Sequence, residues 1–387
     1  MSRSVVITGI GVVLPGARTV EDIWAYQQAD RSLISPLSDT LRGTIVDEDT
    51  IEGVLSPRLS KKLDSFTRYA LVATQRAIED ADLNMAEVDK ARCGVFVGNS
   101  FGGWRFTEVE LRHLHQEGPR MVSPFQATSW FPAAPQGQIT ILHQIKGFSK
   151  TYMADRASSL VSVGSAAAMV AQRHLDVAIA GGTESTNTDF IKAALSPFGG
   201  YGADAPWPTS IPPEAYGFLV SEGAVFLILE NRDRAEARGA AIYGEVRGCA
   251  TRNAPCPPDH YAADPSSVAR AMTAALAGAT PDLVLPDACG TAEADGAEVA
   301  ALAEVCPTAG TLAPKMKYGH TFGAEGALDI AHACLMFRKG RTLPAPYTPR
   351  AAATAPDRPE GPVRSVLING RSLGGAVSSL FLSKGDD

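Results

Sequence analysis

The sequence predicts a duplicated, layered α/β fold with buried sheets, on three observations. Strand-like apolar runs alternate with helical periods along the whole chain, and the second half repeats the rhythm of the first. The strands read as continuous apolar runs, the pattern of sheets covered on both faces. No low-complexity linker separates the two halves, taken as residues 1–239 and 240–387.

Taken in order, Val5-Val6-Ile7-Thr8-Gly9-Ile10-Gly11-Val12-Val13 is an opening strand, too broken by glycine to be a signal peptide. Thr19 and Asp22 stand in capping-box register, which marks a helix start. Leu63, Phe66, Ala70, Ala73 and Ala77 recur at steps of three and four, so residues 61–82 read as a helix. Residues 93–97 form a buried strand that runs into Gly98-Asn99-Ser100-Phe101-Gly102-Gly103. That loop lacks a Walker lysine and GxGxxG spacing, and reads as a tight turn rather than a phosphate cradle.

Residues 104–116 are helical in period. Trp104, Thr107 and Leu111 share one face, while Arg105, Glu108 and Arg112 share another. From pattern alone the first face is core packing. Trp130-Phe131 forms an aromatic patch interrupted by Pro132 and Pro135, ahead of an expected strand at residues 139–142. Exposed, such a patch marks an interface.

Residues 150–167 hold the most informative feature. Strand-like residues pass through the corner Ala154-Asp155-Arg156 into a small-residue helix, forming a strand-turn-helix elbow. An elbow aims its apex side chain into a pocket, with a helix N-terminus behind it that favours an anionic nucleophile. Here the apex is Arg156, whose guanidinium stays protonated and does not attack a carbonyl. The elbow reads as a catalytic scaffold whose chemistry has been removed. A buried guanidinium needs carboxylate or carbonyl acceptors, and Asp155 or a group on a partner chain is the expected source.

A strand at residues 176–180 closes on Gly181-Gly182, and a loop rich in Pro, Gly and Trp follows at residues 196–216. Residues 224–230 are a strand, and residues 233–238 begin a connection. The second half then gives strand 243–249, helix 265–277, strand 283–286, helices 295–305 and 323–337, and strands 365–368 and 376–382.

Composition narrows the function classes. Of 387 residues, 45% are hydrophobic and 20% charged, an ordinary globular balance. A net charge of -7 argues against a nucleic-acid partner, and no run reaches the roughly 18 apolar residues of a membrane span. The six cysteines show no CxxC spacing, which points to neither a metal site nor a disulfide framework and fits a reducing cytoplasm.

The chain resembles the ketosynthase branch of the thiolase-fold condensing enzymes over nearly its whole length. The resemblance is carried by the opening strand, by Glu222-Gly223-Ala224, by Lys315 with Gly319-His320 and Gly323-Ala324-Glu325-Gly326-Ala327, and by Gly374-Gly375. It implies a thiolase-like fold with a duplicated α-β-α-β-α core. Active members use a cysteine and two histidines. In this chain the cysteine position holds Arg156, and the first histidine position holds Cys289 in Cys289-Gly290-Thr291. His320 and Lys315 survive as vestigial or structural residues, and the usually Phe-rich C-terminal gate reads Arg371-Ser372-Leu373. Without an acyl-holding thiol, no self-sufficient condensation is expected.

Within that family the chain is similar to the ketosynthase beta subunits, or chain length factors, of bacterial type II polyketide synthases. The matching tracts include Gly102-Gly103-Trp104-Arg105-Phe106-Thr107-Glu108, Glu117-Gly118-Pro119, Gly137-Gln138-Ile139-Thr140-Ile141 and Ala154-Asp155-Arg156-Ala157. The chain departs from them in its apex arginine, where glutamine is usual, in its retained His320 and in a short 196–216 loop. The resemblance implies a non-condensing subunit that sets polyketide or polyene length. Its partners would be an alpha subunit with intact Cys-His-His and an acyl carrier protein whose phosphopantetheine delivers the substrate, with no cofactor besides. Trp104, Thr107 and Leu111, with Phe106 adjacent, then become a tunnel wall, and Phe125, Trp130 and Phe131 the partner interface; Arg156 is read as a plug filling the dead pocket in preference to a group that binds the malonyl carboxylate. The rival readings are a malonyl-carrier-protein decarboxylase or acyltransferase working through Ser158 or Cys289 with His320, and a purely structural partner.

Overall fold

The structure, a computed structural model, describes residues 4–29, 33–198, 219–343 and 361–385. In the first half the sheet strands are β1 (Val5–Val13), β2 (Cys93–Gly98), β3 (Lys150–Tyr152), β4 (Val177–Glu184) and β5 (Gly223–Asn231). In the second they are β6 (Gly244–Asn253), β7 (Leu283–Leu285), β8 (Gly310–Thr311), β9 (Ser365–Arg371) and β10 (Ala376–Ser383). The spatial order is β3-β2-β4-β5-β1 followed by β6-β10-β9-β7-β8, so each half repeats the same arrangement. Even the strand directions repeat, for β2 is parallel to β3 and β4, and β7 is parallel to β8 and β9. The halves join where residues 5–7 of β1 pair with residues 244–246 of β6.

The main helices are α1 (Val20–Gln28), α2 (Ser65–Asp80), α3 (Trp104–Gln116), α4 (Ala134–His143), α5 (Ser158–Ala171), α6 (Pro265–Leu276), α7 (Ala292–Val305) and α8 (Glu325–Lys339). Side-chain alternation shows the layering. Ala178 and Ala180 of β4 face the same core as Leu160 of α5 and Leu328 of α8, while Val177 and Ile179 face α2. In the second half Val366 and Ile368 join that central core, and Leu367 faces α6. The result is five layers with α5 and α8 in the middle. Helix α8 is buried all round from Glu325 to Phe337, as a central layer requires. It lies close to α5: the Ala327 amide donates to Ser159 Oγ at 3.0 Å, and a Cβ on Gly326 would fall 2.4 Å from Leu160 Cγ.

The capping box before α1 is formed, with Asp22 N–H on Thr19 Oγ1 at 3.2 Å and Thr19 N–H on Asp22 Oδ2 at 2.8 Å. Three expectations are corrected. Residues 139–142 belong to helix α4, not to a strand: Pro135 sits in its first turn, Pro135 and Ile139 are buried together at helical spacing, and the neighbouring Ile141 and Leu142 are exposed. The apolar run misled because this helix is apolar on both its faces. Gly181 and Gly182 lie inside β4 instead of ending it, since Val225 and Gly323 backbone atoms approach too closely for a Cβ at either position. The helix expected from residue 61 starts at Ser65, where Asp64 caps it. Residues 199–216 of the expected loop lie outside the described residues.

Candidate functional site

The N-termini of α5 and α8 converge, each entered through a single 3-10 turn, Asp155–Ala157 and Phe322–Ala324. Asp155 and Phe322 occupy equivalent places three residues before their helices, with φ of 45° and 46°. Ala288, beside Cys289, has φ of 50°. Left-handed backbone at non-glycine residues costs about 1 kcal/mol or more each, and it gathers at functional sites.

Arg156 fills the space between these turns and is 1% exposed. Its Nη1 donates to the Cys289 carbonyl at 3.0 Å and lies 3.8 Å from Asp287 Oδ2. The rings of Tyr261 and Phe322 lie 5.4 and 5.3 Å from the guanidinium carbon. Burial opposes its charge, but Tyr261, Cys289, Asp287 and Asp155 outweigh burial and hold the pKa above the ordinary value. Among the described residues the carboxylate within ion-pair distance is Asp287, while the expected Asp155 acts on the guanidinium through its charge alone. Asp155 instead accepts the Leu373 amide at 3.1 Å and faces Tyr261 Oη at 3.4 Å. It thereby ties the elbow to the C-terminal glycine turn, whose Arg371 donates to the Ala294 and Ala262 carbonyls.

Asp287 links three of the expected site residues. Besides Arg156, it receives the Cys289 thiol, with Sγ 2.7 Å from Oδ2, and lies 3.5 Å from His320 Nε2. Burial pushes this carboxyl up, yet His320, Arg156 and Lys315 together hold it below the ordinary range. His320 Nδ1 accepts the Phe322 amide at 2.9 Å, leaving the Nε2 proton to point toward Asp287. Burial and the Arg156 charge push the His320 pKa down, so the imidazole is neutral. Lys315 stands one step away, 2.8 Å from Asp329 and 3.9 Å from Glu325, which itself lies 3.9 Å from His320 Nδ1. A buried polar chain therefore runs from the Arg156 cation through Asp287, the neutral His320 and Glu325 to the Lys315 cation.

No activated nucleophile remains among these groups. Burial and Asp287 drive the Cys289 thiol well above its usual value, so it stays protonated. Ser158 Oγ accepts the Ala154 amide at 2.8 Å and faces the Asn99 and Asp155 carbonyls at 3.1 and 2.7 Å. It serves as a hub for the turn and has no imidazole as its partner. The loop after β2 is no anion cradle either. Its Ser100 and Phe101 amides bind Glu184 at 2.7 and 3.2 Å, and Glu184 also takes the Gly323 amide at 3.1 Å. Among the described residues no group of His, Cys, Asp and Glu is placed to hold a metal ion, and no helix is long and apolar enough to cross a membrane.

Residues 2–235 match the beta-ketoacyl synthase N-terminal domain and residues 243–346 its C-terminal domain. The chain belongs to the beta-ketoacyl synthase family. It is 33% identical to the actinorhodin polyketide putative beta-ketoacyl synthase 2 of Streptomyces coelicolor, over 88% of this chain and 87% of that protein. It is 31% identical to the tetracenomycin polyketide synthase ketoacyl synthase beta subunit of Streptomyces glaucescens, over 98% of both chains. Among solved structures, the ishigamide ketosynthase/chain length factor superposes with a TM-score of 0.86 at 24% identity, covering 100% of both chains, which confirms the thiolase-like ketosynthase fold.

In this ketosynthase-family chain, the start of helix α3 meets the polar centre through an apolar cluster, in which Trp104 packs with Phe322, the residue whose ring covers Arg156. Trp104 is half-buried and stacks on Phe190 with ring centroids 3.7 Å apart. Phe106 and Thr107 are half-buried, with Thr107 Oγ1 donating to the Gly103 carbonyl at 2.6 Å, and Leu111 is 39% exposed. Phe125, Trp130 and Phe131 are exposed, and Met121, Ile141, Leu142, Phe148 and Met153 are exposed along the same stretch. Sequence reasoning missed Asp287, although it stands two residues before Cys289 at the end of β7. It also missed Phe190, Tyr261 and Phe322, whose roles arise only from long-range packing.

Proposed function

We propose that this chain is the non-condensing subunit of a type II polyketide ketosynthase pair, a chain length factor that acts by shape. The observation that carries this reading is Arg156: a permanent cation, ion-paired and enclosed by aromatic rings, stands where a condensing thiolate is needed. A neutral His320, a protonated Cys289 and an engaged Ser158 leave nothing to hold an acyl group. For the same reason the acyltransferase reading is not favoured, and the decarboxylase reading is not favoured because both His320 nitrogens face protein groups, Nδ1 the Phe322 amide and Nε2 Asp287.

The growing chain would be held by an alpha subunit with intact Cys-His-His and delivered on the phosphopantetheine of an acyl carrier protein, with no other cofactor. One structural neighbour is a type II acyl-carrier protein in complex with its ketosynthase bound to a hexaketide. The large apolar side chains exposed within one stretch of sequence, Phe125, Trp130, Phe131 and Ile141, support a partner that covers them. Trp104, Phe106, Thr107 and Leu111 form the wall that stops elongation, because a close-packed wall does not absorb further methylene volume without a cost of roughly 1–3 kcal/mol. Replacing Trp104→Ala in the reconstituted pair tests the reading: products lengthen or broaden, whereas an unchanged profile with intact assembly leaves only a structural role.

A further inference from the structure

Helix α3 carries the proposed wall, yet its own sequence gives it no start. Its N-cap is Gly103, which has no side chain to receive the free amides of the first turn. The missing acceptor comes from elsewhere in the chain. Asp64 Oδ2 accepts the Phe106 amide at 2.5 Å, while Oδ1 accepts the Phe66 amide at 3.1 Å. One carboxylate thus caps two helices, the core helix α2 and the wall helix α3. Asp64 is 1% exposed, so water does not substitute for it. Of the other charged ties of α3, Arg112 pairs with Glu108 and Asp189 largely at the surface, where such pairs contribute little, and the buried Glu110, which accepts the Ser123 amide at 2.6 Å, holds the later turns rather than the start.

We infer that Asp64 is a positioning residue for chain length: by joining the starts of α2 and α3 it fixes where Trp104 and Phe106 stand. The inference rests on the reading of α3 as a tunnel wall. Trp104 and Phe106 inherit their place from this joint, since Phe106 is itself the bonded residue and Trp104 lies two residues before it.

The joint is also sensitive to pH. Arg105 of α3 and Glu222 ahead of β5 face Asp64, and Tyr69 of α2 lies behind, 3.3 Å from Glu222. Burial raises Asp64 to about 6, against the pull of the Phe106 and Phe66 amides and of Arg105. A folded-state value above the ordinary one means that protonation favours the fold overall. Below about pH 6 the wall therefore loosens without unfolding, because a protonated carboxyl keeps only one strong acceptor for its two amides.

Two variants of the full chain separate the core cap from the wall cap. Asp64→Ser keeps a good N-cap for α2 and lacks the second oxygen that reaches Phe106. Hydrogen exchange should show residues 104–111 losing about fivefold protection, the scale of one lost cap, with residues 66–80 unchanged. In the pair reconstituted with an intact Cys-His-His ketosynthase, wild-type products should broaden as pH falls through about 6, while Asp64→Ser and Asp64→Asn products are broad at every pH. If Trp104→Ala shifts the products but Asp64→Ser does not, the inference is overturned and the proposed function stands. If Trp104→Ala has no effect, the proposed function falls. In that case unchanged exchange at residues 104–111 in Asp64→Ser overturns the positioning role as well.

Discussion

Arg156 Nη1 and Asp287 Oδ2 lie 3.8 Å apart, and neither side chain is more than 1% exposed. The two residues come from different halves of a duplicated fold, one at the start of α5 and the other at the end of β7. Their pairing seals the junction from both sides.

Breaking that pair from the acidic side should be costly. Asp287→Ala leaves a buried guanidinium without its carboxylate and should destabilise the chain by about 3–5 kcal/mol in urea unfolding. Arg156→Met with Asp287→Leu removes both charges and should recover most of that loss, the behaviour of a buried pair replaced by apolar groups. Equal losses in the single and double variants would show that the pairing is not what matters.

The pH dependence of stability has two opposed arms. Asp287 is held below its ordinary value, so its contribution is fully present above about pH 4 and is lost as pH falls further. Glu184 is raised by burial from 4.5 to about 8, so stability declines as pH rises through that window. Glu184→Gln removes one contribution to the second arm, which Asp64 and Asp295 share, so the decline of the unfolding midpoint between pH 4.5 and 8 should become shallower even where the variant is less stable. A slope unchanged from wild type would assign the decline to another group.

Much of the fold was legible because its signals are local. The Thr19–Asp22 box, the elbow at Arg156 and the alternation of strand and helix each lie within a few residues, and the structure forms all of them. What stayed hidden has a physical cause in each case. Residues 139–142 carry apolar side chains on both faces of α4, one face for the core and one exposed, so their period did not separate helix from strand. Asp287 pairs with Arg156 across 131 positions of chain, and no pattern within either segment points to the other. Asp64 lies inside the helix expected from residue 61, so neither its cap on α2 nor its bond to Phe106, 42 positions on, shows in the local pattern.

Thiol chemistry should follow burial. Cys256 is partly exposed, whereas Cys289 is fully buried and its thiol is held protonated. Under native conditions an alkylating reagent should modify Cys256 first and reach Cys289 only as fast as the chain unfolds, as read by peptide mass spectrometry. Rapid native labelling at Cys289 would restore it as a candidate nucleophile.

The apolar surface should be needed for assembly and not for folding. Trp130 and Ile141 are 51% and 71% exposed. Trp130→Glu with Ile141→Glu should abolish co-purification with the condensing partner while the unfolding midpoint of the isolated chain moves little. Retained assembly would place the interface elsewhere.

The most direct measurement is an assay of the isolated chain, free of any homologue, with acyl and malonyl carrier protein, read by intact mass and product chromatography. The account predicts no covalent acyl adduct and no condensed product until an intact Cys-His-His partner is added. An adduct on this chain, or condensation at ordinary turnover without the partner, would contradict it.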